Sequence, residues 1–338
     1  MKRVSLKDIA CMAGVSTSTV SLVLNGKARK MRISDGLAKT VKAIAKKAGY
    51  QPNQVAVSLR TGKSKILGLV VESISGNFFG SLAKVIEEAA QEHDYRIVYC
   101  STENDSNKGH DLIQMLSHRQ VDGYLVTPTS GMEKDVKMLL DSKQPLVLID
   151  SYFPSIPASH VTVDNAGGVK TGMQHLIDKG YKNIGFITVD LPLIQMIQRA
   201  NGYHETLTAN SIRFKAGFVL KLSYNGDRDE SVNRIATFIK KNSKLDAIFV
   251  ATNYLGIVAL ESLKVLGMKI PEDIAMICFD DHDIFRLYPP GLSVIQQPIL
   301  EIGRTAVRLL VEQMENGDPI AAPVKIQLTP KFINRKST

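Results

Sequence analysis

Residues 15–25, with the sequence VSTSTVSLVLN, combine hydroxyl groups and one leucine at helical spacing. At about 100° per residue, Val20 and Val23 point to one side of a helix. The opposite side carries three hydroxyl groups and a leucine, from Thr17, Ser18, Ser21 and Leu22. Short hydroxyl side chains bond to bases and phosphates, and leucine contacts the thymine methyl. This face therefore suits DNA, and packing of Leu22 against a neighbouring loop is the structural alternative.

Capping residues predict three short helices that would position this segment. The first helix begins with a capping box formed by Ser5 and Asp8, and the second is capped by Ser16 and stopped at residues 25–26. A third helix is capped by Ser34 and ends at a glycine. Two helices joined by a tight glycine turn form a helix-turn-helix, whose second helix enters the major groove through its N-terminal residues.

Positive charge is concentrated at the start of the chain. Residues 1–65 contain fourteen lysine and arginine residues against two acidic residues, whereas the remainder contains twenty-eight basic and thirty-one acidic residues. This distribution is typical of nucleic-acid binding, and a solvated basic tail is the alternative. The segment KARKMR, residues 27–32, is suited to contact phosphates, which would make the affinity depend on salt.

A further short helix is predicted after the DNA-binding domain, which we place at residues 1–50. Residues 51–65 form a hinge and linker in which Asn53 caps a segment with an apolar side that includes Ala56 and Leu59. The segment is too short to be a stable helix alone. We therefore expect it to order only against a second copy of the chain and DNA.

Composition indicates a cytoplasmic globular protein. No apolar run reaches the roughly 18 residues of a membrane span, and the first residues lack the apolar core of a signal peptide. The three cysteines, Cys11, Cys100 and Cys278, have no metal-ligand spacing and suit a reducing compartment. The cluster FDDHD at residues 279–283 combines carboxylates with a histidine, but adjacent residues on one loop rarely converge on one ion. We expect no metal site and no cofactor.

Residues 66–338 alternate continuous apolar strands with amphipathic helices, in two successive series. This alternation predicts parallel sheets with helices on both faces, arranged as two similar lobes. A ligand cleft is expected between the lobes, at the carboxyl ends of their strands. The predicted fold is thus an all-α helix-turn-helix domain followed by an α/β two-lobed body, which comprises the effector-binding and dimerisation domain.

Polar and aromatic residues stand at the predicted strand ends, with an arginine at the start of a helix. Such a set suits a polyhydroxylated ligand, through bidentate hydrogen bonds and stacking on a sugar face. The predicted effector-binding residues are Ser73, Phe78, Phe79, Asp150, Arg199, Asn253 and Asp280. Alternatively, Asp150, Asp164 and Asp281 cap helices or close turns, and Arg199 lies on the surface.

The chain resembles the LacI/GalR family of bacterial transcription regulators. The strings VSLKDIACMAGVSTSTVSLVLNGK and AGYQPNQVAVSLRTGKSKILGLVV carry the resemblance, which continues through the whole chain. It implies a dimer on a palindromic operator, with hinge helices that pair in the minor groove and insert Leu59, with Ala56 beside it. It also implies effector contacts by Arg199, Asn253 and Asp280.

The family architecture implies three crossings between the lobes, near residues 163–166, 292–296 and 324–328. The lobes would then be bounded at about 66–163 and 296–325 for lobe 1, and at about 164–293 and 326–338 for lobe 2. The expected DNA-contacting residues are Ser5, Lys7, Ser16, Thr17, Ser18, Thr19, Ser21, Leu22, Asn25, Lys27, Arg32, Asn53, Ala56, Leu59 and Arg60.

Four positions depart from the family pattern. Leu22 stands where many members have an arginine that contacts guanine, so the usual operator sequence does not carry over. The common motif DISNPFF is SISGNFF here, with Ser73 in place of the aspartate. Ser151 replaces a frequent arginine, and Tyr254 replaces a frequent aspartate. The cleft is retained in outline, but its ligand specificity is not readable from the resemblance.

The favoured function is a sequence-specific transcriptional regulator, a repressor on the family pattern. It would act as a homodimer under the control of a carbohydrate-like effector. An enzyme is disfavoured, since residues 61–65 (TGKSK) lack the first glycine of a P-loop and residues 204–208 (HETLT) lack the second histidine of a zinc protease. A transport-type sugar-binding protein would need a signal peptide and no basic domain. An architectural DNA binder without an effector stays open because of Ser73 and Ser151.

Overall fold

The computed structural model describes residues 4–51, 57–58, 61–316 and 322–338. The chain divides into two compact units, the head (residues 1–64) and the body (residues 65–338). The hinge residues that the sequence singles out, Asn53, Ala56, Leu59 and Arg60, lie outside the described residues.

Over residues 4–51 the head contains three helices: α1 (Leu6–Ala13), α2 (Thr17–Leu24) and α3 (Asp35–Lys47). The predicted capping box is present, because the Ser5 hydroxyl accepts from the Asp8 backbone N–H while the Asp8 carboxylate accepts from that of Ser5. Ser16 and Ser34 cap α2 and α3 as predicted. One small core joins the three helices, built from Ile9, Ala10, Val20, Val23, Ala38, Val41 and Ala45.

The body contains twelve strands, nine α-helices and one short 3-10 helix (Ala216–Phe218) among its described residues, in three successive stretches of chain. The first comprises β1 (Ile66–Val71), α4 (Asn77–Glu92), β2 (Arg96–Ser101), α5 (Ser106–His118), β3 (Gly123–Val126), α6 (Glu133–Asp141), β4 (Leu146–Ile149) and β5 (Ser159–Val163). The second comprises α7 (Asn165–Asp178), β6 (Ile184–Val189), α8 (Ile194–Ala209), β7 (Val219–Leu222), α9 (Arg228–Lys241), β8 (Ala247–Val250), α10 (Asn253–Leu266), β9 (Ala275–Phe279), α11 (Asp283–Leu287) and β10 (Ser293–Gln296). The third comprises α12 (Ile299–Asn316), β11 (Lys325–Leu328) and β12 (Lys331–Ile333).

These elements build two lobes, each with a six-stranded sheet. The sheet of lobe 1 has the order β11-β5-β4-β3-β1-β2, and that of lobe 2 has the order β12-β10-β9-β8-β6-β7. Apolar side chains pack on both faces of each sheet: α4 and α12 cover one face in lobe 1 and α5 and α6 the other. In lobe 2 the two faces are covered by α7 with α8 and by α9 with α10. The predicted α/β architecture with helices on both faces is confirmed.

Strand β12 is an exception to the predicted parallel pairing, because it runs antiparallel to β10. The other paired strands of both sheets are parallel. The direction of β12 follows from the path of the chain. The parallel strands end at the cleft, whereas β12 enters lobe 2 directly from β11 and therefore begins at the cleft. No crossover helix intervenes to turn the chain, as a parallel neighbour would require.

The positions of two lobe crossings also differ from prediction. The first, between β5 and α7, lies where expected. The second lies at residues 297–298, because β10 pairs with β9 in lobe 2, and the third lies at residues 329–330, because β11 pairs with β5 in lobe 1. The predicted crossings at 292–296 and 324–328 are therefore too early. Both predicted ranges overlap strands of four residues, β10 and β11. An apolar pattern indicates a strand, but it does not show which sheet the strand joins.

Candidate DNA-binding surface and inter-lobe cleft

Helix α2 presents two different sides, as the sequence predicts. Val20 and Val23 are fully buried in the head core. Thr17 and Ser18 are exposed at the start of the helix, where a helix-turn-helix contacts base edges. Leu22 is partly buried and does not belong to the head core or to the apolar residues packed against it, within the described part of the head. The outer face therefore carries one apolar and two hydroxyl groups that face outward.

Several other predicted DNA-contacting side chains are engaged within the head. The Ser16 hydroxyl accepts from the Thr19 backbone N–H at 3.1 Å and lies 2.9 Å from the Thr19 hydroxyl. The Asn25 side-chain amide donates to the Ser21 carbonyl at 2.6 Å and to the Ser21 hydroxyl at 3.2 Å. Ser5 is held in its capping box. These residues shape the helix-turn-helix, whereas Thr17 and Ser18 are presented outward.

Exposed basic residues surround this helix in sequence. Lys7 on α1 and Lys27 and Arg32 in the loop after α2 are all exposed. Arg29 in the same loop lies 3.9 Å from Asp35, and both side chains are largely solvated. Such a pair contributes little to stability, so the loop keeps its positive field for phosphates.

The seven predicted effector-binding residues line one cavity of about 420 Å³. This cavity, called the cleft below, lies between the lobes. Ser73 and Asp150 follow strands of lobe 1, while Asn253 and Asp280 follow strands of lobe 2. Its volume is typical of sites for small molecules.

Arg199 is the cation of the cleft and is only 2% exposed, so the surface alternative for it is wrong. Its Nε donates to Asn165 Oδ1 at 2.8 Å, and its Nη1 donates to the Ala251 carbonyl at 2.7 Å. The guanidinium lies 3.7 Å from the centre of the Phe279 ring, and Nη1 lies 3.7 Å from Asp280 Oδ2. These contacts hold the side chain against lobe 2.

Asp150 and Asp280 occupy matching positions in the two lobes. Each directly follows a strand that ends at the cleft, and each has a left-handed backbone, with φ of 66° and 71°. Asp280 Oδ1 accepts from Gln297 Nε2 at 2.6 Å, and Asp150 Oδ2 accepts from Gln195 Nε2 at 3.1 Å. Burial raises the pKa of both carboxyl groups, that of Asp150 to about 6, while the nearby guanidinium opposes the rise.

The alternative roles of strand-end residues apply to Asp164 and Asp281. Asp164 Oδ1 accepts from the Gly167 backbone N–H at 2.8 Å and caps α7. Asp281 forms a bidentate pair with Arg335, at 2.9 and 2.7 Å. Asn165 likewise orients Arg199. These three residues are structural rather than members of the cleft lining.

Sequence analysis missed several polar residues that also line the cleft, among them Glu72, Glu103, Gln195, Tyr224 and Gln297. Burial, and then the charge of Asp150, raises the pKa of Glu72 to about 7. Glu72 directly follows β1, so its place at a strand end was available as a signal. Gln195 and Tyr224 follow β6 and β7, and β7 was not among the predicted strands.

Hydrogen bonds join the lobes across the cleft. Gln195 on α8 of lobe 2 donates to Asp150 of lobe 1 at 3.1 Å. The Tyr224 hydroxyl of lobe 2 donates to Glu103 Oε2 of lobe 1 at 3.4 Å. A ligand in the cleft therefore meets the groups that set the distance between the lobes.

Four buried polar atoms of the cleft residues lack a hydrogen-bond partner in the described structure. They are Asp150 Oδ1, Gln195 Oε1, Asn253 Nδ2 and Gln297 Oε1. Buried polar groups are nearly always paired, so these atoms need a ligand or water. No group of acidic, histidine or cysteine side chains that could hold a metal ion occurs among the residues described. Within the same residues, no helix is both long and apolar enough to cross a membrane.

Two family models match the chain. The model described as bacterial regulatory proteins, lacI family, matches residues 5–53. The model described as periplasmic binding protein-like domain matches residues 173–338.

Relatives with known names are similar over nearly the full chain. The transcriptional repressor PurR of Mannheimia succiniciproducens is 30% identical over 98% of this chain and 98% of its own length. The transcriptional regulator KdgR of Bacillus subtilis is 32% identical over 98% of this chain and 97% of its own length.

Solved structures share the fold. The lac repressor dimer bound to operator and an anti-inducer superposes with a TM-score of 0.87 at 21% identity, over 100% of this chain and 99% of that chain. A complex of the transcriptional regulator CelR with cellobiose has a TM-score of 0.74 at 26% identity, over 99% of this chain and 100% of that chain.

Proposed function

Because this chain belongs to the LacI family of bacterial regulatory proteins, we propose that it binds a palindromic operator as a homodimer and responds to an effector in the cleft. The chain is a DNA-binding transcriptional regulator and not an enzyme. Repression is the expected direction, since relatives such as PurR are named repressors. The proposed place of action is the cytoplasm, where operator DNA is accessible.

The observation that carries the DNA-binding proposal is the outward side of α2. Thr17 and Ser18 are exposed at its start, and Leu22 stands outside the head core. Hydroxyl groups at this place bond to base edges, and Leu22 is suited to a thymine methyl. One helix-turn-helix contacts one half-site, so two copies are needed for a palindrome.

The effector proposal rests on the cleft. Its unpartnered buried atoms, Asp150 Oδ1 and Asn253 Nδ2 among them, favour a polar ligand. Phe78 and Phe79 supply apolar surface beside them. We propose a carbohydrate-like metabolite as the general class. An architectural DNA binder without an effector would have no use for these buried groups.

Control follows from differential binding. The Gln195–Asp150 and Tyr224–Glu103 bonds depend on how closely the lobes approach. An effector that changes this approach shifts DNA affinity only by the difference in its affinity for the two lobe arrangements. By the family pattern, Leu59 is proposed to insert into the minor groove. On that basis, Leu59→Ala is expected to lose specific operator binding and keep effector binding.

The test is selection of bound sequences from a random DNA pool, with purified full-length protein at near-physiological salt. We expect an enriched palindrome, with and without a pool of sugars and nucleosides as co-ligands. The double variant Thr17→Ala/Ser18→Ala should lose the enrichment, and Thr40→Ala, an exposed threonine on α3, should keep it. No enrichment under either condition, with binding that vanishes as salt rises, would contradict the proposal.

A further inference from the structure

The cleft has an imbalance of charge. Four carboxyl groups line it, from Glu72, Glu103, Asp150 and Asp280, against a single guanidinium among the described lining residues. His282 also lines the cleft, and its Nδ1 accepts from the Ile284 backbone N–H at 3.1 Å. This nitrogen is bonded within its own loop and offers no hydrogen-bond donor to the cleft.

Arg199 does not correct this imbalance, because its charge is already engaged. It lies beside Asp280, donates to Asn165 and Ala251, and stacks on Phe279. Glu72 and Asp150 face each other's charge, and the single Arg199 guanidinium only partly offsets the rise in the pKa of these two carboxyl groups. Like charges in a buried site stay costly when one cation is shared among several carboxylates.

The unpartnered atoms show the same imbalance in hydrogen bonding. Asp150 Oδ1, Gln195 Oε1 and Gln297 Oε1 are acceptors, and their residues are 7%, 1% and 5% exposed. Asn253 Nδ2 is the donor among the unpartnered atoms described in the cleft. A ligand that satisfies these groups therefore brings more donors than acceptors.

Aromatic rings complete the lining. The rings of Tyr224 and Tyr254 stand at 88° with their centres 6.2 Å apart, and those of Phe78 and Phe79 stand at 76° with centres 5.0 Å apart. All four residues line the cleft. The negative faces of aromatic rings attract organic cations, and more strongly where water is excluded.

Resting on the proposed role of the cleft as an effector site, we propose that the effector is a hydroxylated organic cation. It carries a protonated amine recognised by Glu72 and Asp150, and hydroxyl groups that donate to the glutamine and aspartate acceptors. A neutral sugar supplies the donors but leaves the carboxylate charges uncompensated.

The test compares amine and alcohol partners that share one scaffold: glucamine with sorbitol, glucosamine with glucose, and galactosamine with galactose. Binding to the full-length protein at pH 7 is measured by calorimetry and by thermal shift. We expect the amine of at least one pair to bind at least tenfold more tightly than its alcohol. Equal binding within every pair overturns the proposal, as does the absence of binding by every amine at about 20 mM, far above millimolar Kd values.

Variants locate the charge effect. Glu72→Gln keeps the shape of the side chain and removes its charge, so it should weaken amine binding at least tenfold and change alcohol binding less than twofold. Glu88→Gln, an exposed residue on α4, is the matched control and should change neither. Equal amine affinity in Glu72→Gln and wild type also overturns the proposal.

The two proposals fail in different ways. If a neutral sugar binds in the cleft independently of Glu72 and changes operator affinity, the regulator stands and the cationic effector is wrong. If an amine binds through Glu72 while DNA selection yields no palindrome, the cationic ligand stands and the operator-binding proposal is wrong.

Discussion

The head and the cleft handle their polar groups in opposite ways. In the head, the hydroxyl groups of Ser5, Ser16 and Ser21 form hydrogen bonds with residues three or four positions away. These bonds stabilise the helices without a ligand. In the cleft, buried groups such as Asp150 Oδ1 and Gln297 Oε1 lack partners. The polar groups of the head are thus mostly satisfied by the head itself, and a few exposed side chains face solvent. The cleft contains buried polar groups whose hydrogen bonds are completed only by a ligand or water.

The largest effect is expected from removing Arg199, the guanidinium among the described residues that line the cleft. Arg199→Met should lower the free energy of unfolding by about 3 kcal/mol, because Asp280 and the Ala251 carbonyl lose a buried partner. The measurement is chemical denaturation of the full chain. Arg308→Met, which breaks an exposed pair with Glu312, is the control and should cost at most about 1 kcal/mol. Equal losses in the two variants would show that Arg199 does not hold the cleft together.

A smaller effect is expected from pH. Asp150, Arg199 and Tyr224 face Glu72, whose pKa is raised from 4.5 to about 7. The folded protein then holds a proton that the unfolded chain releases between these values, so stability falls as pH rises. Relative to Glu72→Gln, wild type should lose about 1–3 kcal/mol between pH 5 and pH 8. Denaturation at a series of pH values checks this, and parallel curves for the two proteins would contradict it.

The exposed side chains of the head should affect recognition and leave stability unchanged. Ser18→Ala is expected to reduce discrimination between the selected operator and a single-base variant by about 1–2 kcal/mol. Its effect on head stability should stay within about 0.5 kcal/mol, because Ser18 is solvated. Binding titrations against both DNA sequences measure the first quantity. Unchanged discrimination would remove Ser18 from the base-contacting set.

The smallest effect is expected from a head residue that stabilises its helix and does not contact bases. Ser16→Ala removes the cap of α2 and should destabilise the head by about 1 kcal/mol. Hydrogen exchange of the α2 amides in the full chain is the measurement. Discrimination between operator variants should stay unchanged, which separates the cap at Ser16 from the exposed hydroxyl at Ser18. If the α2 amides of Ser16→Ala exchange as slowly as those of wild type, the capping role of Ser16 is contradicted.

The same contrast explains which features were predictable from sequence. The head depends on signals three residues apart, such as Ser5 with Asp8, and its three helices and caps are confirmed. The cleft gathers residues more than two hundred positions apart, such as Glu72 and Gln297. Ser73, Asp150, Asn253 and Asp280 were predicted because strand ends are visible in the apolar pattern. Gln297 was not predicted because it lies at a lobe crossing that was placed too early. Tyr224 was not predicted because the strand before it, β7, is only partly apolar.

Packing decided what local patterns left open. An arginine is by its type expected at the surface, and the interior position of Arg199 follows from its contacts with Asn165, Ala251 and Phe279 on three separate elements. Asp150 and Asp281 likewise look equivalent as strand-end aspartates. The ion pair with Arg335 gives Asp281 a structural role, whereas Asp150 has no such partner in the described part of the chain and lines the cleft.

The late strands β11 and β12 have a consequence for the order of folding during synthesis. Each adds an edge to a sheet whose other strands were made earlier, β11 beside β5 and β12 beside β10. Neither lobe has its full sheet until residues 325–333 have left the ribosome. The head, whose contacts are local, has no such delay. A nascent chain therefore carries a folded helix-turn-helix head before it carries the completed sheets of the body.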